Sequence, residues 1–262
     1  MFWAYLLAFA VAPAVPLTRA PLQIVEELKE NCHEYKMGMS RRSALVNEIN
    51  ARRTSMVNGK QRNGRYTLLP IGENVLEMKW SCRLEWLALE ALNRTKDKCP
   101  TEWPEAPNGT TGFFDYRDHV EEGDIGLNIM KQWLSEIDKT KMPLNEHWKS
   151  PVWYRGVNRN YSNLVRYDSP RIGCAELECK GKHAMFCLTD KPPLEKDKDI
   201  VYYYGNGACP IGECRAPTNG CSKKTGLCFS PSLATTPTPP CANRRYFGFQ
   251  DLFATHGCWL DQ

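Results

Sequence analysis

Twelve cysteines in 262 residues constrain what this chain can fold into more than any other feature. The number is even and several are closely spaced. The chain also starts on an apolar run, and together these argue for disulfides made in an oxidising compartment. Zinc is the competing use of cysteine. Cys209, Cys214, Cys221 and Cys228 are the densest group, but their spacings fit no common zinc motif. We therefore read Cys32, Cys82, Cys99, Cys174, Cys179, Cys187, Cys209, Cys214, Cys221, Cys228, Cys241 and Cys258 as disulfide cysteines. Their spacing leaves the connectivity open, although a bond between Cys241 and Cys258 would close a compact loop.

Residues 2–15 are almost all apolar, and no charge precedes Arg19. This is the hydrophobic core of a signal peptide, lacking only the usual basic residue at its start. Ala10, Ala12, Ala14 and Ala20 offer small residues for cleavage, so 1–20 is taken as the leader. A permanent membrane anchor needs roughly 20 apolar residues, and this run is shorter. The expected product is secreted and extracellular. A net charge of +4, spread without a dense Lys/Arg block, excludes a nucleic-acid stripe. Nothing in the sequence sets the oligomeric state.

Periodicity supplies the elements. Ser40 is placed to cap a helix that runs to about Asn58, with Leu45, Ile49 and Met56 on one face and Gly59 in a left-handed terminus. Residues 61–70 read as a loop, and Asn74 with Glu77 as a capping pair for a helical turn. Ser81 caps a second helix whose Leu84, Leu87, Ala88, Ala91 and Leu92 form a buried face. Residues 124–139 give a third, with Ile129, Met130, Trp133, Leu134 and Ile137 aligned. Leu164–Tyr167 reads as strand-like, Ser169-Pro170 as a turn, and Ile172 as the start of a buried run. Further strands are expected at 184–188 and 199–204. Prolines and threonines make 229–240 a linker. The aromatic tail 241–262 is expected to pack back on the main domain, the sharper alternative being an exposed hairpin that touches a partner.

Several of these stretches resemble the CAP superfamily of cysteine-rich secretory proteins, antigen 5 and pathogenesis-related proteins. The family pattern G-H-Y-T-Q-x-V-W, followed by G-C, is met by Tyr161, Ser162, Leu164, Val165, Gly173 and Cys174. Asn50 and Arg53 match its first-helix H-N-x-x-R, with Ile49 in the histidine position, and Trp133 and Glu136 match its W-x-x-E. Residues 78–85, M-K-W-S-C-R-L-E, are close to the nematode form M-K-W-D-C-x-L-E, and 222–228 resemble the end of the family's hinge. The likeness spans 40–228 and is nearest to secreted venom-allergen-like, activation-associated proteins of parasitic nematodes. It implies an α+β fold, a three-layer α-β-α sandwich around a mainly antiparallel sheet. The implied segments are 21–39 as an N-terminal stretch, 40–204 as the CAP domain, 205–228 as a cysteine-rich hinge, then the linker and the disulfide-closed tail.

The same resemblance nominates a site. Relatives carry two histidines and two glutamates in a metal-binding cluster. Here the matching positions are Trp103, Phe113, Glu136 and Asn160, and only Glu136 keeps its identity. His119 is the candidate substitute ligand, although a histidine beside Asp118 needs no special role. A metal-dependent hydrolase needs several convergent ligands, and no Ser-His-Asp arrangement stands out. The expectation is a chain with no cofactor, no catalytic residues and no enzymatic activity. Asn93, Asn108 and Asn160 head N-glycosylation sequons. The resemblance implies a host-directed binding protein that engages a host protein or receptor. A sterol or fatty-acid carrier is the alternative, and metal-dependent activity is disfavoured.

Overall fold

A computed structural model of the chain describes residues 32, 37–94, 100, 102–118, 123–145, 151–179, 181–215 and 220–229. Helix α1 (Met39–Val57) is followed by a hairpin of β1 (Arg62–Asn63) and β2 (Thr67–Leu68), and by short strands β3 (Gly72–Glu73) and β4 (Lys79–Trp80). Then come α2 (Cys82–Asn93), β5 (Thr111–Arg117), α3 (Ile125–Leu134) and α4 (Glu136–Lys139). The chain continues through β6 (Val152–Trp153), α5 (Arg159–Val165), β7 (Arg171–Cys179), β8 (Lys182–Thr189) and β9 (Ile200–Tyr204).

The main sheet has the order β4-β7-β8-β5, and a smaller sheet has the order β3-β9-β6. In the main sheet only β4 runs parallel to its neighbour, pairing Lys79 with Arg171 and Trp80 with Ile172. The other pairings are antiparallel, with Phe113 opposite Cys187 and Cys187 opposite Cys174. Alternation along each strand splits the side chains between two faces. Ala175, Ala184, Phe186 and Leu188 pack under α2 with Leu84, Ala88, Ala91 and Leu92. Phe113, Cys174, Met185 and Cys187 join the larger core containing Leu45, Ile49, Met130 and Trp133 of α1 and α3. The expected α+β, α-β-α sandwich is what forms.

Gly173 shows why α2 can lie so close to the sheet. A Cβ there would collide with the backbone nitrogen of Glu85 and the carbonyl carbon of Leu84. The other motif residues are structural as well. Asn50 mimics a strand neighbour, donating to Met78 O at 2.9 Å and accepting from Met78 N at 2.8 Å. Arg53, fully buried, donates to Leu164 O (2.8 Å), Ser169 O (2.8 Å) and Leu76 O. It thereby ties α1 to the end of α5 and to the chain just before β4 and just before β7. Burial pushes its guanidinium down to about 9, against the pull of Asp190 and Asp168. Glu85 accepts from Arg42 at 2.9 Å and from the Trp80 indole at 2.7 Å.

The disulfides are Cys32–Cys82, Cys174–Cys187, Cys209–Cys221 and Cys214–Cys228. Cys179 is disulfide-bonded too, whereas Cys99, Cys241 and Cys258 lie outside the described residues. The cysteine-rich stretch is stitched to the core by Cys228 N to Val75 O (2.9 Å) and Glu77 N to Cys228 O (2.8 Å). No helix among the described residues is long and apolar enough to cross a membrane. The leader and the aromatic tail lie outside the described residues.

Five local expectations differ from the structure. The stretch 61–70, read as a loop, forms the β1–β2 hairpin, with Arg62 paired to Leu68 and Asn63 to Thr67. Ser40 lies inside α1, and Gly38 takes the N-cap position without a side-chain bond. Asn74 caps no helix; its backbone is left-handed (φ 54°), and the chain beyond it is extended. The helix expected over 124–139 breaks at Ser135, and Asp124 caps its first part by accepting from Leu127 N at 2.9 Å. Leu164–Val165 is the end of α5 rather than a strand, because Tyr161, Leu164 and Val165 share its buried face at i, i+3 and i+4.

Candidate functional site

The first turn of α5 meets the start of α4 beside the start of β5. Asn158 precedes α5 with φ 52°, a left-handed conformation that asparagine tolerates, and its amide donates to Thr140 O at 2.7 Å. Asn160 then reaches Glu136: its backbone N donates to Oε2 at 2.9 Å and its Nδ2 to Oε1 at 2.8 Å. Tyr161 N adds a third bond to Oε2 at 3.1 Å. Both oxygens of the Glu136 carboxylate are thus engaged in charge-assisted bonds that fix the helix start.

Between these residues and β5 lies Arg159. Its Nη1 donates to Asn160 Oδ1 and its Nη2 to Gly112 O, each at 3.1 Å. The guanidinium carbon stands 5.0 Å from the Trp103 ring centroid and 5.9 Å from that of Phe113, within cation-π range. Phe113 is fully buried against Trp133, at 5.8 Å between rings, while Trp103 is 52% exposed. Burial lowers the Arg159 pKa, and the neighbouring Tyr154 and Glu136 oppose that shift. Burial likewise raises the pKa of Tyr154, which Arg159 counteracts.

All four nominated positions therefore come together around a residue that was not nominated. The signal for Arg159 was its place directly before Asn160, a fixed cation next to a nominated position. His119 lies outside the described residues. A divalent cation does not fit here: Trp103 and Phe113 have no ligand atom, and the Asn160 amide and Glu136 carboxylate bond each other. The sulfurs of Cys209, Cys214 and Cys221 lie close enough together to suggest a metal site. Disulfides to Cys221 and Cys228 leave no thiolate among them.

A concavity of about 260 Å³ opens between the start of α1, α2 and β7, lined in part by Met37, Arg41, Leu89 and Glu176. Burial pushes the Glu176 carboxyl up to about 7 despite Arg41 at 2.8 Å. Of the sequons, Asn108 is exposed in a turn before Gly109 (φ 83°), and Asn93 is the exposed last residue of α2. Asn160 lies within α5 with its amide nitrogen held by Glu136.

The family model described as "CAP: Cysteine-rich secretory protein family" matches residues 46–189, more than half of the chain. Among solved structures the chain is similar to BmVAL-1, at 22% identity and TM-score 0.63, covering 77% of this chain and 99% of that one. It is also similar to Na-ASP-1, at 20% identity and TM-score 0.64, covering 78% of this chain and 49% of that one. NaASP2 with Zn2+ gives 18% identity and TM-score 0.60, covering 75% and 99%. At these identities the likeness bears on the fold.

Proposed function

Because the chain belongs to the cysteine-rich secretory protein (CAP) family, we propose that it is a secreted, non-catalytic binding protein whose partner is a protein of a host organism. One observation carries this reading: the surviving carboxylate, Glu136, is fully engaged by Asn160 and Tyr161. A general base must be free to take a proton from substrate, and Glu136 has both oxygens committed. Among the described residues the imidazole is that of His183, which is 1% exposed and belongs to β8 rather than to this site. What remains at the surface is an exposed indole beside a guanidinium, the residue types that anchor protein interfaces. The disulfide-rich fold supports secretion, and origin from a parasitic nematode stands as part of the same proposal.

Expression of the full chain in eukaryotic cells tests it. The protein is expected in the medium, and native mass spectrometry is expected to find neither zinc nor lipid at stoichiometric levels. Stoichiometric zinc with hydrolytic activity would overturn the non-catalytic reading. A co-purifying sterol or fatty acid would turn the assignment to a lipid carrier.

A further inference from the structure

Arg159 is a half-buried cation for which the described fold provides no carboxylate. Other partly or largely buried arginines have one: Arg41 with Glu176 (2.8 Å), Arg42 with Glu85 (2.9 Å), Arg52 with Asp138 (2.8 Å) and Arg166 with Asp168 (2.7 Å). Arg53 is satisfied by backbone carbonyls. Among the described residues Arg159 has only two acceptors, both uncharged, Asn160 Oδ1 and Gly112 O. A guanidinium presents five N–H donors in a rigid fork, so more than half of them are uncommitted. Glu136 is close enough to act on it electrostatically, but no ion pair within 4 Å forms between them among the described residues.

Withdrawing a cation from water without a counterion is costly. Two aromatic faces offset part of that cost here. An arriving anion would offset more. We propose that the Arg159 guanidinium, stacked beside the exposed Trp103 ring, receives a carboxylate from an acidic segment of a protein partner. The planar fork matches a carboxylate in two-point contact, and the exposed Trp103 ring supplies apolar area at the rim of the same contact. A sulfated glycan would call for clustered basic residues, and the chain has no dense Lys/Arg block. The guanidinium that draws an anion also repels a divalent cation, so the feature that spoils the metal site makes the anion site.

This inference rests on the reading of the site as a binding surface. The test is a titration of the full chain, with 15N-labelled tryptophan, against a capped hexaglutamate peptide at low salt. A saturable shift of the Trp103 indole resonance is expected. Arg159→Gln should weaken binding at least tenfold, while Arg155→Gln, whose arginine pairs with Asp197 at 2.7 Å, should stay within twofold. Trp103→Ala, a change at an exposed position, should weaken calorimetric binding at least threefold and guards against a misfolded Arg159 variant. A linear, unsaturable response, or equal losses for Arg159→Gln and Arg155→Gln, would overturn the anion site. That failure would leave the non-catalytic reading standing, whereas stoichiometric zinc on the wild-type chain would remove that reading itself.

Discussion

At Gly173 and Asn160 single atoms decide what the chain tolerates. Gly173 lets the α2 backbone approach β7, where any Cβ would meet the backbone of Leu84 and Glu85. Backbone cannot swing away as a flexible side chain can. Gly173→Ala is therefore expected to cost about 1–3 kcal/mol or more, read from the urea midpoint, and a neutral result would mean that α2 sits further out. At Asn160 the nitrogen that would carry a glycan donates to Glu136 instead. Asn108, exposed in its turn, has no such commitment. Peptide mapping of the secreted protein, with and without glycosidase, should show sugar at Asn108 and an unmodified Asn160. Occupancy at Asn160 would mean that its bond to Glu136 does not form in the secreted protein.

Among the elements, α5 is the one whose conformation depends most on its neighbours. Seven residues are too few to hold a helix in water unaided. Glu136 from α4 holds its first turn, and Arg53 from α1 accounts for its Leu164 carbonyl. Glu136→Ala removes three charge-assisted bonds and should cost roughly 2–3 kcal/mol. It should also loosen the Trp103–Arg159 contact, visible as a changed near-ultraviolet circular dichroism signal. A loss below about 0.5 kcal/mol would place Glu136 among ordinary surface carboxylates. The apolar pair Leu164-Val165 is equally consistent with strand and helix when only its hydrophobicity is read. The buried face of α1 and the capped start of α2, in contrast, were legible because long periodic segments carry their own evidence.

For the molecule as a whole, pH reports on the charged end of the core. Glu176 titrates near 4.5 when unfolded, but burial holds it at about 7 in the fold, outweighing Arg41, with Asp124 and Glu178 adding to the rise. Between those values the native state binds more protons than the unfolded chain, so stability falls as pH rises through that window. Glu176→Gln cannot ionise and lacks this slope. The melting temperature of the wild type relative to Glu176→Gln should be highest below pH 4.5 and decline toward pH 7; a flat difference would assign Glu176 an ordinary pKa. Arg41, packed against Glu176 from α1, stays paired with it at the upper end of the range.

The sequence by itself determined the class of this protein: twelve cysteines and two strongly periodic helices pointed to a disulfide-rich chain, and short motifs such as Gly173–Cys174, by their resemblance to the CAP family, implied the α-β-α sandwich. These are properties of local spacing and composition, which survive being read one residue after another. The site was legible only as a set of positions, Trp103, Phe113, Glu136 and Asn160, spread over almost sixty residues. Their joint meaning depended on Arg159, a side chain whose lack of a carboxylate partner among the described residues cannot be seen until β5, α4 and α5 are brought together. Tertiary structure alone decided that, because hydrogen-bond partners and desolvation are set by groups remote in sequence and adjacent in space.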